Sequence, residues 1–236
     1  MVQFDGLVVI PARGGSKGVA RKNLRELHGL PLTTWTLRFV SKMQVSQAFL
    51  SSDDDQILSL ADEFETIQAL RRPPKQSSDM ATDQEVLMHA VEAVGDKIDK
   101  VMMLQPTAPS RQLELVRQCV TIMSESDASA VWSVSPVESK LNALKQLRLD
   151  SSGDLKLMQP SPKPFRRQDL PQGYIRNGEC YIIALETLFS DPNLLGPHAK
   201  LVESSGQPVN IDSLEDFELA ENYLIESKEG LLEPRY

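Results

Sequence analysis

The chain has 236 residues, enough for one full hydrophobic core, and its 41% hydrophobic and 25% charged content is that of an ordinary globular protein. A formal charge of -8 argues against general nucleic-acid binding, and Cys119 and Cys180 are too few and too far apart for a disulfide framework or a zinc knuckle. No apolar run is long enough to span a bilayer, and the amino terminus enters an apolar run without a basic leader, so the expectation is a cytoplasmic protein with reduced thiols and no membrane or nucleic-acid partner.

The first element is the run Leu7-Val8-Val9-Ile10, short and β-branched enough for a buried strand. It stops at Pro11, and Gly14, Gly15 and Gly18 follow. Glycines let a backbone come close to a ligand, and successive N–H groups in such a turn form a concave anion site. Between Pro11 and Arg25 stand Arg13, Lys17, Arg21, Lys22 and Arg25, with no acid among them. A cation-only loop in an acidic protein fits a phosphate-rich ligand; the plain alternative is a solvated basic loop. The glycine spacing matches neither the P-loop nor the dinucleotide fingerprint.

Residues 31–42 read as a helix, with Pro31 in its first turn and Leu32, Trp35, Leu37, Phe39 and Val40 as its apolar face. Ala48-Phe49-Leu50 reads as a second strand. The carboxylates Asp53, Asp54 and Asp55 after it suit a helix cap better than a metal site, because Ile57, Leu58, Ala61 and Phe64 continue as a helix. Residues 66–70 form a third strand, broken by Arg71-Arg72-Pro73-Pro74. Thr82 and Glu85 make a capping box for a helix to about Val94; His89 within it has no ligand partner at metal spacing.

Residues 101–104 are the next buried strand, leading into Gln105-Pro106-Thr107-Ala108-Pro109. Side chains at such a strand exit face the carboxyl edge of a sheet, where open α/β folds bind ligands. Residues 113–123 read as a helix and 128–134 as a strand. The alternation implies an α/β fold with a mostly parallel sheet and right-handed crossovers. From about residue 140 the pattern changes. Residues 140–149 and 155–158 read as short strands around the turn Ser151-Ser152-Gly153-Asp154, and 159–172 as a Pro-rich basic flap with Lys163, Arg166 and Arg167. Residues 178–184 return to a strand, 209–212 read as the last strand, Ser213 caps a final helix, and the tail after about Ser227 reads as frayed.

Pro11-Ala12-Arg13-Gly14-Gly15-Ser16-Lys17-Gly18, followed by Arg21-Lys22-Asn23, closely resembles the opening of the CMP-N-acylneuraminate synthetases. Arg72-Pro73 with Asp79, Gln105-Pro106-Thr107-Ala108-Pro109 with Arg111, Arg167-Gln168-Asp169-Leu170-Pro171, Asn177-Gly178-Glu179-Cys180-Tyr181-Ile182 and Ile211-Asp212-Ser213 resemble further segments of that family in the same order. The likeness implies a single three-layer, nucleotide-diphospho-sugar transferase-like α/β domain over 1–236, with a dimerisation excursion at about 138–175. It implies transfer of CMP from CTP to a nonulosonic, nine-carbon acidic sugar, with Mg²⁺ as cofactor and a homodimer as the working unit. The CMP-Kdo synthetases are the alternative, disfavoured by Gly14-Gly15-Ser16-Lys17; a nucleotide-binding homologue with little activity is the other.

The resemblance puts Arg13 and Lys22 on the CTP phosphates and Asp212 on the metal, the three expected catalytic residues. Ala12, Gly14, Gly15, Ser16, Asn23 and Arg72 complete the expected nucleotide site. Gln105, Thr107, Lys145, Arg167 and Asn177 fall on the sugar side. The family carries a second aspartate two residues before Asp212; here it is Asn210, which can offer an amide oxygen but no charge. The identity of the sugar among sialic, legionaminic and pseudaminic acids stays open.

Overall fold

The computed structural model describes residues 1–16, 18–78, 80–94, 98–159, 166, 168, 170–205, 208–228 and 230–234. In chain order the elements begin with β1 (Gln3–Pro11), a small ribbon of β2 (Glu26–Leu27) and β3 (Leu30–Pro31), and α1 (Leu32–Ser41). Next come β4 (Gln44–Ser52), α2 (Asp55–Leu58), β5 (Gln68–Arg71), α3 (Asp83–Ala93), β6 (Lys100–Met103), α4 (Leu113–Glu125) and β7 (Ala130–Pro136). The remainder is β8 (Leu147–Leu149), β9 (Leu155–Leu157), β10 (Tyr174–Ala184), α5 (Leu185–Ser190), β11 (Lys200–Glu203), α6 (Leu214–Tyr223), β12 (Leu224–Glu226) and β13 (Leu232–Pro234).

Seven strands make one sheet in the order β11-β7-β10-β6-β1-β4-β5. β10 runs antiparallel to both of its neighbours, and the other adjacent pairs are parallel. Leu7, Val8, Val9 and Ile10 are all fully buried because helices cover both faces of the sheet. Successive strand side chains point to opposite faces. Val8 and Ile10 therefore join one core with Leu37 and Phe39 of α1 and Val116 and Cys119 of α4. Leu7 and Val9 join the other with Leu87 and Ala90 of α3 and Leu188 of α5. This is the expected three-layer arrangement.

A third apolar cluster fixes the site. Val19 from the glycine loop, Trp35 from α1, Val209 and Ile211, and Phe217 and Ala220 from α6 pack together. The carboxyl-terminal segment is thereby pressed against the loop that follows β1.

Several expectations change. Residues 209–212 are not a strand. Val209 and Ile211 are buried and Asn210 and Asp212 exposed, which imitates a strand's alternation, but the inward pair is seated in the third cluster. Ile211 N–H donates to Thr107 O at 2.8 Å. The tail is not frayed: β12 and β13 pair antiparallel, and Leu231 and Leu232 are buried. The helix after Asp54 is a single α turn continued by a 3-10 segment, Ser59–Glu63. Of 140–149 only β8 is extended; Ala143–Lys145 is a 3-10 turn. α5 and β11 were not foreseen. They are short and mostly exposed on one side, so their apolar pattern is too brief to read.

Candidate active site

β1, β4 and β6 all end at the same edge of the sheet. Their exit loops and the segment before α6 enclose a cleft of about 340 Å³. Arg13, Lys22, Asn23, Arg72, Gln105, Thr107, Asn210 and Asp212 all line it. A larger hollow of about 790 Å³ adjoins it and shares Arg72 and Ser78.

The loop after β1 is moored on all sides. Ala12 is buried, and its N–H donates to Ser51 O at 2.9 Å. Asn23 Nδ2 donates to Arg13 O at 2.8 Å, and Thr33 Oγ1 donates to Asn23 O at 2.9 Å. Gly14 N–H donates to Asp53 Oδ1 at 2.8 Å; a Cβ there would lie 2.8 Å from the Cβ of Asp54. Asp54 caps α2 through Gln56 N and Ile57 N, and its other oxygen accepts from Arg21 Nη2 at 3.2 Å. The Asp53–Asp55 cluster is thus a cap and a mooring for the loop. Gly15 is exposed and Ser16 half-buried on the loop's outer turn. Lys17 lies outside the described residues.

Lys22 Nζ donates to Ile211 O at 2.9 Å and to Asp212 Oδ1 at 2.8 Å. Asn210 Nδ2 donates to Asp212 Oδ2 at 3.4 Å. Arg72 is buried; its Nη2 donates to Ser51 O at 3.0 Å and its Nη1 to Gln76 O at 3.3 Å, while Nε has no partner among the described residues. Burial lowers its pKa, opposed by Asp53 and reinforced by the charge of Arg13. A cation held at such a cost, with a donor unspent, is poised for a polar ligand.

Gln105, also in the cleft lining, is set by a buried cation to which the sequence assigned no role. Arg111 Nη2 donates to Gln105 O at 2.7 Å and to Gly178 O at 3.2 Å, and its Nε donates to Glu179 O. Desolvation brings the Arg111 pKa down to about 10, against the charge of Glu179. Gly178 has φ +80°, a left-handed conformation that favours glycine, and a Cβ there would stand 2.7 Å from Gln105 Oε1 and push that side chain aside.

Asn177 does not face the cleft. Its Oδ1 accepts from Ser133 Oγ at 2.6 Å, and its Nδ2 donates to Ser204 Oγ at 2.6 Å and Glu179 Oε2 at 3.1 Å. Both ends of its amide are thus engaged in an internal network. Lys145 is exposed beside the β8–β9 hairpin and is not in the cleft lining. Arg167, and Asp79 of the Arg-Pro segment, lie outside the described residues. Asp83 lines the cleft and was missed, because an acid in the first turn of a helix reads as a macrodipole partner.

Among the described residues no group of three or more His, Cys, Asp or Glu could hold a metal ion. One exposed carboxylate, Asp212, and one amide, Asn210, form the donor set at that end. Such a sparse set does not cage a cation. It does fit Mg²⁺, which takes one or two carboxylates and fills its shell with water and substrate phosphates.

A doubly covered α/β sheet with a moored, cation-bearing loop over its carboxyl edge is the arrangement of an enzyme that binds an anionic ligand such as a nucleotide. The comparisons agree. The cytidylyltransferase family profile matches residues 7–204. A CMP-N,N'-diacetyllegionaminic acid synthase of Legionella pneumophila is 31% identical, over 96% of this chain and 99% of that one. A pseudaminic acid cytidylyltransferase of Campylobacter jejuni is 24% identical, over 92% and 95%. A solved CMP:2-keto-3-deoxy-manno-octonic acid synthetase complexed with CTP shares the fold, with a TM-score of 0.68 at 16% identity over 94% and 98%. The chain belongs to the cytidylyltransferase family.

Proposed function

We propose that this cytidylyltransferase activates a nonulosonic acid, a nine-carbon acidic sugar, with CTP. The oxygen of the sugar's anomeric hydroxyl bonds to the α-phosphorus, the bond from that phosphorus to the bridging oxygen breaks, and pyrophosphate leaves. The hydroxyl proton passes to solvent. The observation that carries this reading is one cleft lined by Arg13, Lys22 and Asp212 together with Gln105 and Thr107.

Phosphoryl transfer of this kind needs little covalent chemistry from the protein; it needs alignment and charge. Arg13 and Lys22 bind the phosphates and oppose the charge that grows on the phosphoryl oxygens and the leaving group. Arg72 offers its unspent Nε and its charge to the base or the phosphates. Gln105, held through its own carbonyl by Arg111, orients the sugar. Asp212 and Asn210 would hold Mg²⁺ against the phosphates, where the ion neutralises charge and polarises oxygen.

The working unit in this reading is a homodimer. In the β8–β9 hairpin Leu147 faces Leu157 and Leu149 faces Leu155, while Arg148 faces Lys156. One face of the ribbon is therefore all leucine, and every one of those leucines is exposed. A two-stranded ribbon with a bare apolar face is not stable alone and calls for a covering surface. Lys145 and Arg167 would then serve a site across that interface. The two buried free thiols suit a cytoplasmic setting, and no helix among the described residues is long and apolar enough to cross a membrane.

The deciding experiment measures pyrophosphate release by the purified chain with each nucleoside triphosphate against a panel of nonulosonic acids and 3-deoxy-octulosonic acid. Turnover with CTP and a nine-carbon acid is expected. Faster turnover with another nucleotide, or with the eight-carbon acid, overturns the reading; no turnover with any pair marks an inactive homologue.

A further inference from the structure

The carboxylate of Asp212 is 71% exposed, yet both of its oxygens are engaged by neighbours of its own chain. Lys22 Nζ sits 2.8 Å from Oδ1, and Asn210 Nδ2 sits 3.4 Å from Oδ2. Lys22 is not a loose surface cation. Its side chain is 13% exposed and its ammonium also donates to Ile211 O at 2.9 Å. Nor can Asp212 easily withdraw. Its carbonyl oxygen lies 2.4 Å from where a Cβ on Gly18 would be, so loop and segment are in close contact. Its N–H donates to Asp216 Oδ2 at 2.8 Å, and that same oxygen caps α6 through Ser213 N at 2.8 Å. That oxygen of Asp216 is thus committed to the backbone.

From this arrangement we infer that the free enzyme takes no divalent cation at Asp212, and that Asn210 and Lys22 together make cation entry depend on the triphosphate. The inference rests on the CTP reading above and extends it. A cation arriving alone must displace an ammonium clamped by two acceptors and finds one carboxylate in the Asp212–Asn210 pair. Hard-cation affinity rises with the number of charged oxygen ligands, and position 210 supplies none. A triphosphate changes both terms. Its oxygens give Lys22 another anionic partner, which frees Oδ1, and they complete the ion's shell. Asn210 is therefore the affinity-setting residue: an aspartate there would compensate Lys22 and leave a second carboxylate for the ion. By linkage, the cation and the nucleotide raise each other's affinity by one common factor.

The test uses the whole chain and Mn²⁺ as the hard-cation probe. MnCl₂ is titrated into nucleotide-free protein, with free Mn²⁺ followed by electron paramagnetic resonance. The wild type should show no saturable site tighter than about 1 mM, the weak end for oxygen-ligand sites, and Asn210→Asp should bind about tenfold tighter or better. Asn210 is exposed, so that variant folds. In equilibrium dialysis, Mg²⁺ should raise wild-type CTP affinity, and Asp212→Asn should lose most of that gain. Micromolar Mn²⁺ binding by the nucleotide-free wild type, unchanged Mn²⁺ binding in Asn210→Asp, or CTP affinity indifferent to Mg²⁺ overturns the inference while leaving CTP turnover intact. Failure of CTP to support pyrophosphate release removes the underlying reading, and the inference with it.

Discussion

Arg13 reaches the cleft from a loop anchored by hydrogen bonds at Ala12, Gly14 and Asn23 and by Val19 in the third apolar cluster. Truncating it leaves those anchors in place and removes one charge from the phosphate path. Arg13→Ala should therefore fold normally and lose about 3 kcal/mol of transition-state stabilisation, a hundredfold or more in rate. Steady-state pyrophosphate release at saturating substrates measures it, and near-wild-type turnover would remove Arg13 from the phosphates. Glu179 makes a prediction of a different kind. Its carboxyl is held above the ordinary carboxylate range by burial, opposed by the Ser204 hydrogen bond and by Arg111. The unfolded chain ionises first as pH rises, so this group's contribution to stability is full below the ordinary range and is lost as pH climbs through the raised value. Glu179→Gln should gain stability relative to the wild type between about pH 4 and about pH 8, read by urea unfolding at both ends. A difference that does not change with pH would mean the carboxyl titrates alike in both states.

At the scale of elements, the carboxyl-terminal hairpin has a stability role that its composition hides. β13 pairs with β12, and Leu232 joins Phe217 and Trp35 in the cluster that backs the site. Deleting residues 228–236 exposes the places of Leu231 and Leu232, at roughly 1.5–3 kcal/mol each. Urea midpoints of the truncated and full chains test this; equal midpoints would make the hairpin ornamental. The β8–β9 ribbon is the opposite case, with its apolar residues outside. Leu149→Glu with Leu155→Glu should leave the unfolding midpoint of the main domain nearly unchanged. It should convert a dimer to a monomer by light scattering. Dimers that survive the pair of charges would place the interface elsewhere. Both capping boxes, Thr82 with Glu85 and Ser213 with Asp216, form with reciprocal bonds. These were legible, or half legible, because a capping box is a four-residue pattern needing no tertiary partner.

For the molecule as a whole, ligand binding and stability are one measurement. At a CTP concentration of 100 times its dissociation constant the native state gains about 2.7 kcal/mol. For a chain of this size that raises the melting temperature by roughly 5–10 °C. Differential scanning fluorimetry with CTP, UTP, ATP and GTP should rank CTP first when Mg²⁺ is present. A larger shift with another nucleotide counts against the CTP reading.

The sequence by itself determined the three-layer α/β fold, the glycine loop, the Gln105 exit and the family. Each of these is written in local pattern: buried β-branched runs, helix caps, and motif residues a few positions apart. Tertiary structure alone decided what those residues touch. Residues 209–212 alternate like a strand, yet the alternation is imposed by packing against α6 and the loop. Asn177 stands in a sugar-site motif, yet its amide is consumed by Ser133 and Ser204, 44 and 27 residues away in sequence, and by Glu179 on its own strand. Arg111 reads as one more cation after a proline-rich exit, yet it is the buried post that fixes Gln105 to β10. Lys22 and Asp212 are 190 residues apart, and their 2.8 Å contact exists only because the third apolar cluster brings the end of the chain back to its beginning.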